Sequence, residues 1–345
     1  MHGTNLGHGR NPDHGMDPDH GTDPDHGTDP GHGMDLDLDR IAEASRLIDP
    51  VFLNSPQYAD EQLCAALGKR VLVKIETLNP LRSFKGRGMD LLAREFDRGT
   101  RLVCESTGNF GQAVGYAAAR HGLSAEVFVP EGISPVKLTR MASLGAHVHE
   151  IGGGRAEEAA REYAAAHKDS VFIEDGRHPR IAEGAGTIGV ELLTAGPIDT
   201  VVLPVGDGAL ITGVARWFKE HAPHTRVVGV CAKGAPSMVD SWRSDRVLPT
   251  EGADTFAEGI AISSPIPESV DRMRLLVDDM VVVDDADMLA AMRTALTTLG
   301  VLPEPAGAAG LAAIATHDLP GEVLATVVTG ANVSPGLFGD VLVSG

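Results

Sequence analysis

Apolar residues recur along the chain in two rhythms that take turns. Short, nearly continuous runs rich in Val, Ile and Leu predict buried strands at 70–76, 101–105, 125–129, 147–151, 200–203, 226–231, 280–283 and 323–328. Between them the apolar positions spread to helical spacing. That spacing predicts helices over 36–47, 59–67, 89–96, from the turn at 112 through Arg120, 135–144, 156–166 and most of 176–195. Further helices are expected to end near Glu220, to span 286–299 and to start at Pro305, and the interval 232–270 reads as rich in loops. Strand and helix alternating through short connections is the pattern of a parallel, doubly wound α/β sheet.

The first 35 residues break this rhythm. His2, His8, His14, His20, His26 and His32 fall on a fixed period among Asp, Gly and Pro, and such a stretch cannot bury enough apolar surface to offset its ordering entropy. A disordered, solvated tail is expected there. Nine Asp and the single Arg10 within residues 1–39 place −8 of the chain's −19 in that stretch, so the remainder is only moderately acidic.

Composition narrows the partners. With 29 Lys and Arg against 48 Asp and Glu, neither a nucleic-acid backbone nor an anionic membrane is expected as the main partner. No apolar leader and no run long enough to span a bilayer is visible. Cys64, Cys104 and Cys231 are few and far apart, which gives no disulfide framework and no metal site. A cytoplasmic protein is expected. In a chain of 345 residues, 43% hydrophobic but 4% aromatic, the core must be built from Ala, Val, Leu, Ile and Gly.

Ligands of open α/β sheets gather beyond the carboxyl ends of the strands, and four unusual turns stand at such ends. After strand 70–76, the loop 77–82 leads to Ser83-Phe84-Lys85-Gly86-Arg87-Gly88, which puts Lys85 on a glycine-flanked turn. After strand 101–105, Ser106, Thr107, Asn109 and Gln112 lie where a helix begins, a fitting receptor for an amino-acid carboxylate. After strand 200–203, the turn Gly206-Asp207-Gly208-Ala209-Leu210 offers backbone N–H groups to an anion. Ile211 excludes a dinucleotide fingerprint, and no Gly-Lys-Ser/Thr follows. After strand 323–328 comes Thr329-Gly330-Ala331-Asn332.

Together with Phe256-Ala257-Glu258-Gly259-Ile260-Ala261 and Glu304-Pro305-Ala306-Gly307-Ala308, these stretches resemble the ordered motifs of fold-type II pyridoxal-phosphate enzymes. Within that family the threonine and serine dehydratases and serine racemase are most similar, and threonine and cysteine synthases are more distant. The resemblance covers about residues 40–335. It implies two doubly wound lobes with the cofactor in the cleft between them: 36–98 with 178–345 as the large lobe and 99–177 as the small one. By the same resemblance Lys85 forms the Schiff base with pyridoxal phosphate and serves as the catalytic base. Asn109 meets the cofactor's 3-hydroxyl, Gly206, Asp207, Gly208, Ala209 and Leu210 hold its phosphate, and Thr329 meets the pyridine nitrogen. Ser106, Thr107 and Gln112 are the expected substrate contacts, no metal is expected, and a homodimer is implied.

A neutral hydroxyl at the ring nitrogen weakens the electron sink, which suits α,β-elimination over transamination. The expected reaction is loss of ammonia from L-threonine, L-serine or a relative through an aminoacrylate, giving a 2-oxo acid. In it the Lys85 amine, its pKa lowered by burial and cofactor, takes the α-proton. The alternatives are β- or γ-replacement, as in cysteine and threonine synthases, and a ligand-binding relative without catalysis, against which the intact Lys85 stands. Three departures from the dehydratase pattern are visible. Thr107 and Phe110 replace the Ser and His of Ser-Ser-Gly-Asn-His, Asp207 and Ala209 interrupt a run of glycines, and Ala331 stands in a terminal Ser-Gly-Gly-Asn. The first weighs against racemisation. The C-terminal regulatory domain of biosynthetic threonine dehydratases is not expected after Asn332.

Overall fold

The computed structural model describes residues 34–343 except 245, so nearly all of the expected tail lies outside the described residues. Among the described residues are ten strands: β1 (Gln57–Ala59), β2 (Arg70–Ile75), β3 (Arg101–Glu105), β4 (Ser124–Pro130), β5 (Ala146–Ile151), β6 (Ser170–Phe172), β7 (Thr200–Pro204), β8 (Arg226–Ala232), β9 (Asp279–Val283) and β10 (Val323–Val328). Six form one sheet in the order β1-β2-β10-β7-β8-β9, and four form a second in the order β5-β4-β3-β6. All pairings are parallel except that of β1 with β2. The fold is α/β with parallel sheets, as the alternation of elements predicts.

Parallel strands need both faces covered, and the buried side chains show it. Val71, Val73, Val202, Val228, Val230 and Leu324 are buried together with Ala308, Ala309 and Ala312 of the Pro305–Thr316 helix. Each aliphatic side chain removed from water contributes about 1.5–3 kcal/mol.

Register then places the special turns. Strand β10 pairs with β2 from Val323↔Arg70 to Val328↔Ile75, so the two strands finish side by side. The chain leaving β2 is stitched to the chain leaving β10: Phe84 N–H donates to Thr329 O at 3.0 Å, Ala331 N–H donates to Arg82 O at 2.9 Å, and Ser83 bridges Gly330. Lys85 thus starts where Thr329 ends.

The structure corrects several local expectations. Lys85 is not on a turn but is the first residue of a helix, Lys85–Ala93, that begins earlier than the expected 89–96. Gly86 and Gly88 are poor helix formers, and tertiary packing overrides them. A Cβ on Gly86 would lie 2.3 Å from Phe52 Cε1, and one on Gly88 would lie 2.7 Å from Ile181 O, so both glycines exist for close approach. The helix expected from Ala59 starts at Glu61, with Asp60 capping it through Leu63 N–H, and Ala59 closes β1 instead. Strand β6, three half-buried residues long, was too short to leave a period. The loop-rich interval to 270 holds the helix Ser237–Arg243 and the start of Pro267–Leu276.

Candidate active site

Three helices point their N-termini at one cavity of about 420 Å³. They are Lys85–Ala93, Asn109–His121 and Ala209–His221, and none has a side-chain cap. A cap typically contributes about 1 kcal/mol, so leaving helix starts bare beside a cavity keeps their N–H groups for something else. Every residue singled out from the sequence lines this space: Lys85, Ser106, Thr107, Asn109, Gln112, the whole turn from Gly206 to Leu210, and Thr329.

The turn after β7 is built as an anion cradle. Gly208 has φ +90, which favours glycine, and a Cβ there would lie 2.0 Å from Ser269 Oγ. A Cβ on Gly206 would lie 2.5 Å from Gly259 O. The N–H groups of Gly206, Asp207 and Gly208 donate to no acceptor among the described residues, and Ala209 and Leu210 open the helix behind them. Free N–H groups and the positive end of a helix together suit a phosphate. Asp207, beside such a group, has to turn away. The Asp207 backbone packs on Gly176, where an added Cβ would meet Asp207 O at 2.1 Å and Asp207 Cβ at 2.9 Å. Its carboxyl feels Asp175 and Lys85 most strongly among charged neighbours.

Lys85 faces that same side. Its amine pairs with Asp175, a carboxylate 6% exposed that sequence reasoning missed. Burial pulls the amine's pKa down, but Asp175 and Asp207 more than offset it, so Lys85 stands above the ordinary lysine value. The expected lowering by burial is present, but without cofactor the facing carboxylates outweigh it. Asp175 lies three residues past the end of β6, so the unrecognised strand hid a strand-end position.

The remaining walls are polar. Gly108 N–H donates to Ser106 Oγ at 3.2 Å, while the Thr107 and Thr329 hydroxyls have no hydrogen bond among the described residues and face the cavity. Asn109 is engaged on both sides: its Nδ2 donates to Glu304 Oε1 at 2.6 Å and its Oδ1 accepts from Asn332 Nδ2 at 2.7 Å. Glu304 is raised by burial, a rise opposed by the N–H donors of Asn109 and Asn332. Gln112 is buried, and its Oε1 accepts from Arg140 Nε at 3.3 Å. Glu304 belongs to a motif quoted from the sequence, but its bond to Asn109 joins residues 195 apart and had no local signal.

A phosphate-bearing aldehyde fits these residues: an amine on one wall, bare N–H groups on another, and a free hydroxyl at Thr329. A family model described as pyridoxal-phosphate dependent enzyme matches residues 49–330. An L-threonine ammonia-lyase of Thermotoga maritima is 32% identical over 318 residues, covering 90% of this chain and 79% of that protein. The biosynthetic L-threonine dehydratase of Pasteurella multocida is 29% identical over 79% of this chain, which spans 55% of that relative's length. Among solved structures, maize serine racemase superposes with a TM-score of 0.83 at 27% identity, covering 88% of this chain and 96% of that one.

Proposed function

The chain belongs to the pyridoxal-phosphate-dependent enzymes, and on that premise we propose that it catalyses α,β-elimination from a small hydroxy amino acid of the L-threonine or L-serine type, releasing a 2-oxo acid and ammonia. The observation that carries this reading is the convergence of Lys85, the bare 206–210 turn and the Thr329 hydroxyl on one cavity. Elimination products are also what the names of the Thermotoga and Pasteurella relatives describe for those proteins.

In this reading the N–H groups of 206–210 hold the cofactor phosphate, and Thr329 Oγ1 meets the ring nitrogen. Pyridoxal phosphate supplies the electron sink for charge developing at the α-carbon. Lys85 Nζ would hold the cofactor and, once displaced by the substrate amine, would take the α-proton as general base. Ser106, Thr107 and the start of the Asn109–His121 helix receive the substrate carboxylate, which orients the Cα–H bond toward Lys85. Asn109 is assigned to the cofactor's hydroxyl, with Glu304 and Asn332 fixing its amide. The reading includes two lobes, 36–98 with 178–345 and 99–177, one around each sheet. It includes a homodimer in a reducing compartment, in keeping with free Cys64, Cys104 and Cys231.

The test is Lys85→Ala in the purified protein. We expect the variant to lose both the visible absorbance of bound cofactor and 2-oxo acid formation from threonine and serine. Retention of both would remove Lys85 from its assigned role. Product that forms only when a thiol or amine is added would replace elimination by β-replacement.

A further inference from the structure

The cavity is far more acidic than a hydroxy amino acid requires. Its charged lining has only two lysines, Lys85 and Lys137, and each is already paired, with Asp175 and Glu258. Among the other carboxylates, Glu304 accepts from Asn109 and Asn332, Glu174 from Arg161 and Arg177, and Glu157 from Arg161. Two are left over. The carboxyls of the half-buried Glu105, at the end of β3, and of Asp207, in the turn after β7, accept no hydrogen bond and make no ion pair among the described residues. Both line the cavity.

Carboxylates held out of water without a partner are costly, and an incoming cation relieves that cost. Burial and the neighbouring Asp175 lift the Asp207 carboxyl to about 7 even with the Lys85 amine nearby, so that one cation does not balance it. Once Lys85 is engaged in chemistry, Asp175 loses its partner too. The wall of Glu105, Asp175 and Asp207 then faces the substrate with no cation of the chain's own to balance it.

Resting on the elimination reading above, we propose that this site also takes, and prefers, a short amino acid carrying an amine on its β-carbon, with the side-chain ammonium seated on the wall of Glu105, Asp175 and Asp207. Position sets the length. Asp175 contacts Lys85 Nζ, the atom assigned to reach the α-carbon, so a charge two bonds from that carbon lies beside the wall, whereas a lysine or arginine side chain carries its charge past it. The chemistry agrees. A hydroxyl needs a proton in order to leave, but an ammonium brings its own, and facing carboxylates keep it protonated. Lys85 Nζ takes the proton from Cα, the Cβ–N bond breaks with its electron pair staying on nitrogen, and neutral ammonia departs. Hydrolysis releases the α-nitrogen, so one 2,3-diaminopropionate and one water give one pyruvate and two ammonia.

The experiment compares L-2,3-diaminopropionate with L-serine, which differs only in bearing OH for the amine. In the holoenzyme we expect kcat/KM for pyruvate formation to favour the diamino acid by at least about tenfold. In Asp207→Asn, and separately in Glu105→Gln, that ratio should fall by about tenfold, each variant first being checked for bound cofactor by its spectrum. A ratio that is unchanged in both variants, or serine turned over as well as the diamino acid, overturns the proposal. A second arm is independent of turnover: Lys85→Ala protein supplied with excess cofactor should bind the diamino acid more tightly than serine by calorimetry, and equal or weaker binding counts against it. Absence of pyruvate from either amino acid sinks the elimination reading, and the binding arm then decides the substrate class alone.

Discussion

Two groups of charged side chains flank the start of the Lys85–Ala93 helix, and they are balanced in opposite ways. Behind the helix, Arg87 is fully buried and spends all five of its N–H donors on Glu76, Glu191 and Thr187 at 2.7–2.9 Å. Lys74 completes the set, 2.5 Å from Glu191 Oε2, so two cations meet two anions and the network closes on itself. In front of the helix, Lys85 alone faces Asp175 and Asp207, with Glu105 beyond them, and the cavity's other lysine, Lys137, is paired with Glu258. A closed network locks a fold, while an open one waits for charge that the chain does not carry. The same six-residue motif feeds both, through Arg87 on one face and Lys85 on the other.

The closed network should break with the largest effect. Arg87→Met keeps most of the volume but leaves Glu76 and Glu191 with Lys74 as their only cation, and removing one partner of a buried pair costs about 3–5 kcal/mol. Urea unfolding of the variant should show that loss in its midpoint, with the slope unchanged. A loss below about 1 kcal/mol would mean that the two sides of the helix do not differ as claimed.

The contrast also explains what could be read from the sequence. Strand-end turns were legible because glycine, hydroxyl and amide residues follow apolar runs directly, and each of the four turns sends residues into one cavity. Strands β2, β3, β7 and β10 were legible because burial on both faces makes them continuous apolar runs. What escaped depends on distance in the chain. Asp175 acts on Lys85 from 90 residues away, behind a strand too short to show a period. Asp207 looked out of place in a phosphate turn because its neighbours Gly176 and Asp175 come from that same unseen strand end. Arg87 read as part of a lysine motif, although Glu191, 104 residues on, makes it structural.

The open side should respond more modestly, and first at Lys85. Cofactor capture requires the uncharged amine, and Asp175 with Asp207 holds that amine above its ordinary pKa despite burial. Capture by the cofactor-free protein should therefore quicken as pH rises. Asp175→Asn removes the closest carboxylate, so the amine sheds its proton more readily and capture at neutral pH speeds up, about tenfold for each unit by which its pKa falls. The rate of growth of visible absorbance on mixing measures this. A slower capture in Asp175→Asn at neutral pH would show that the carboxylate positions the amine more than it charges it.

The smallest effect separates the two sides most sharply, because it has the opposite sign to that of Arg87. Folding lifts the Asp207 carboxyl from 3.8 to about 7, chiefly by burial and then by Asp175. Between those values the folded protein holds a proton that the unfolded chain has released, so stability falls as pH rises through that window and stays reduced above it. Asp207→Asn removes the ionisation altogether. In the cofactor-free protein the variant should therefore melt a few degrees above the parent at about pH 8, with the gap narrowing as pH falls through about 7 toward 4. Binding a cation to the open wall should reverse the order, since the parent gains a partner for Asp207 and the variant does not. A gap that widens on acidification, or one indifferent to pH, would mean that Asp207 already has its partner within the fold, and the front of the helix would then be as closed as the back.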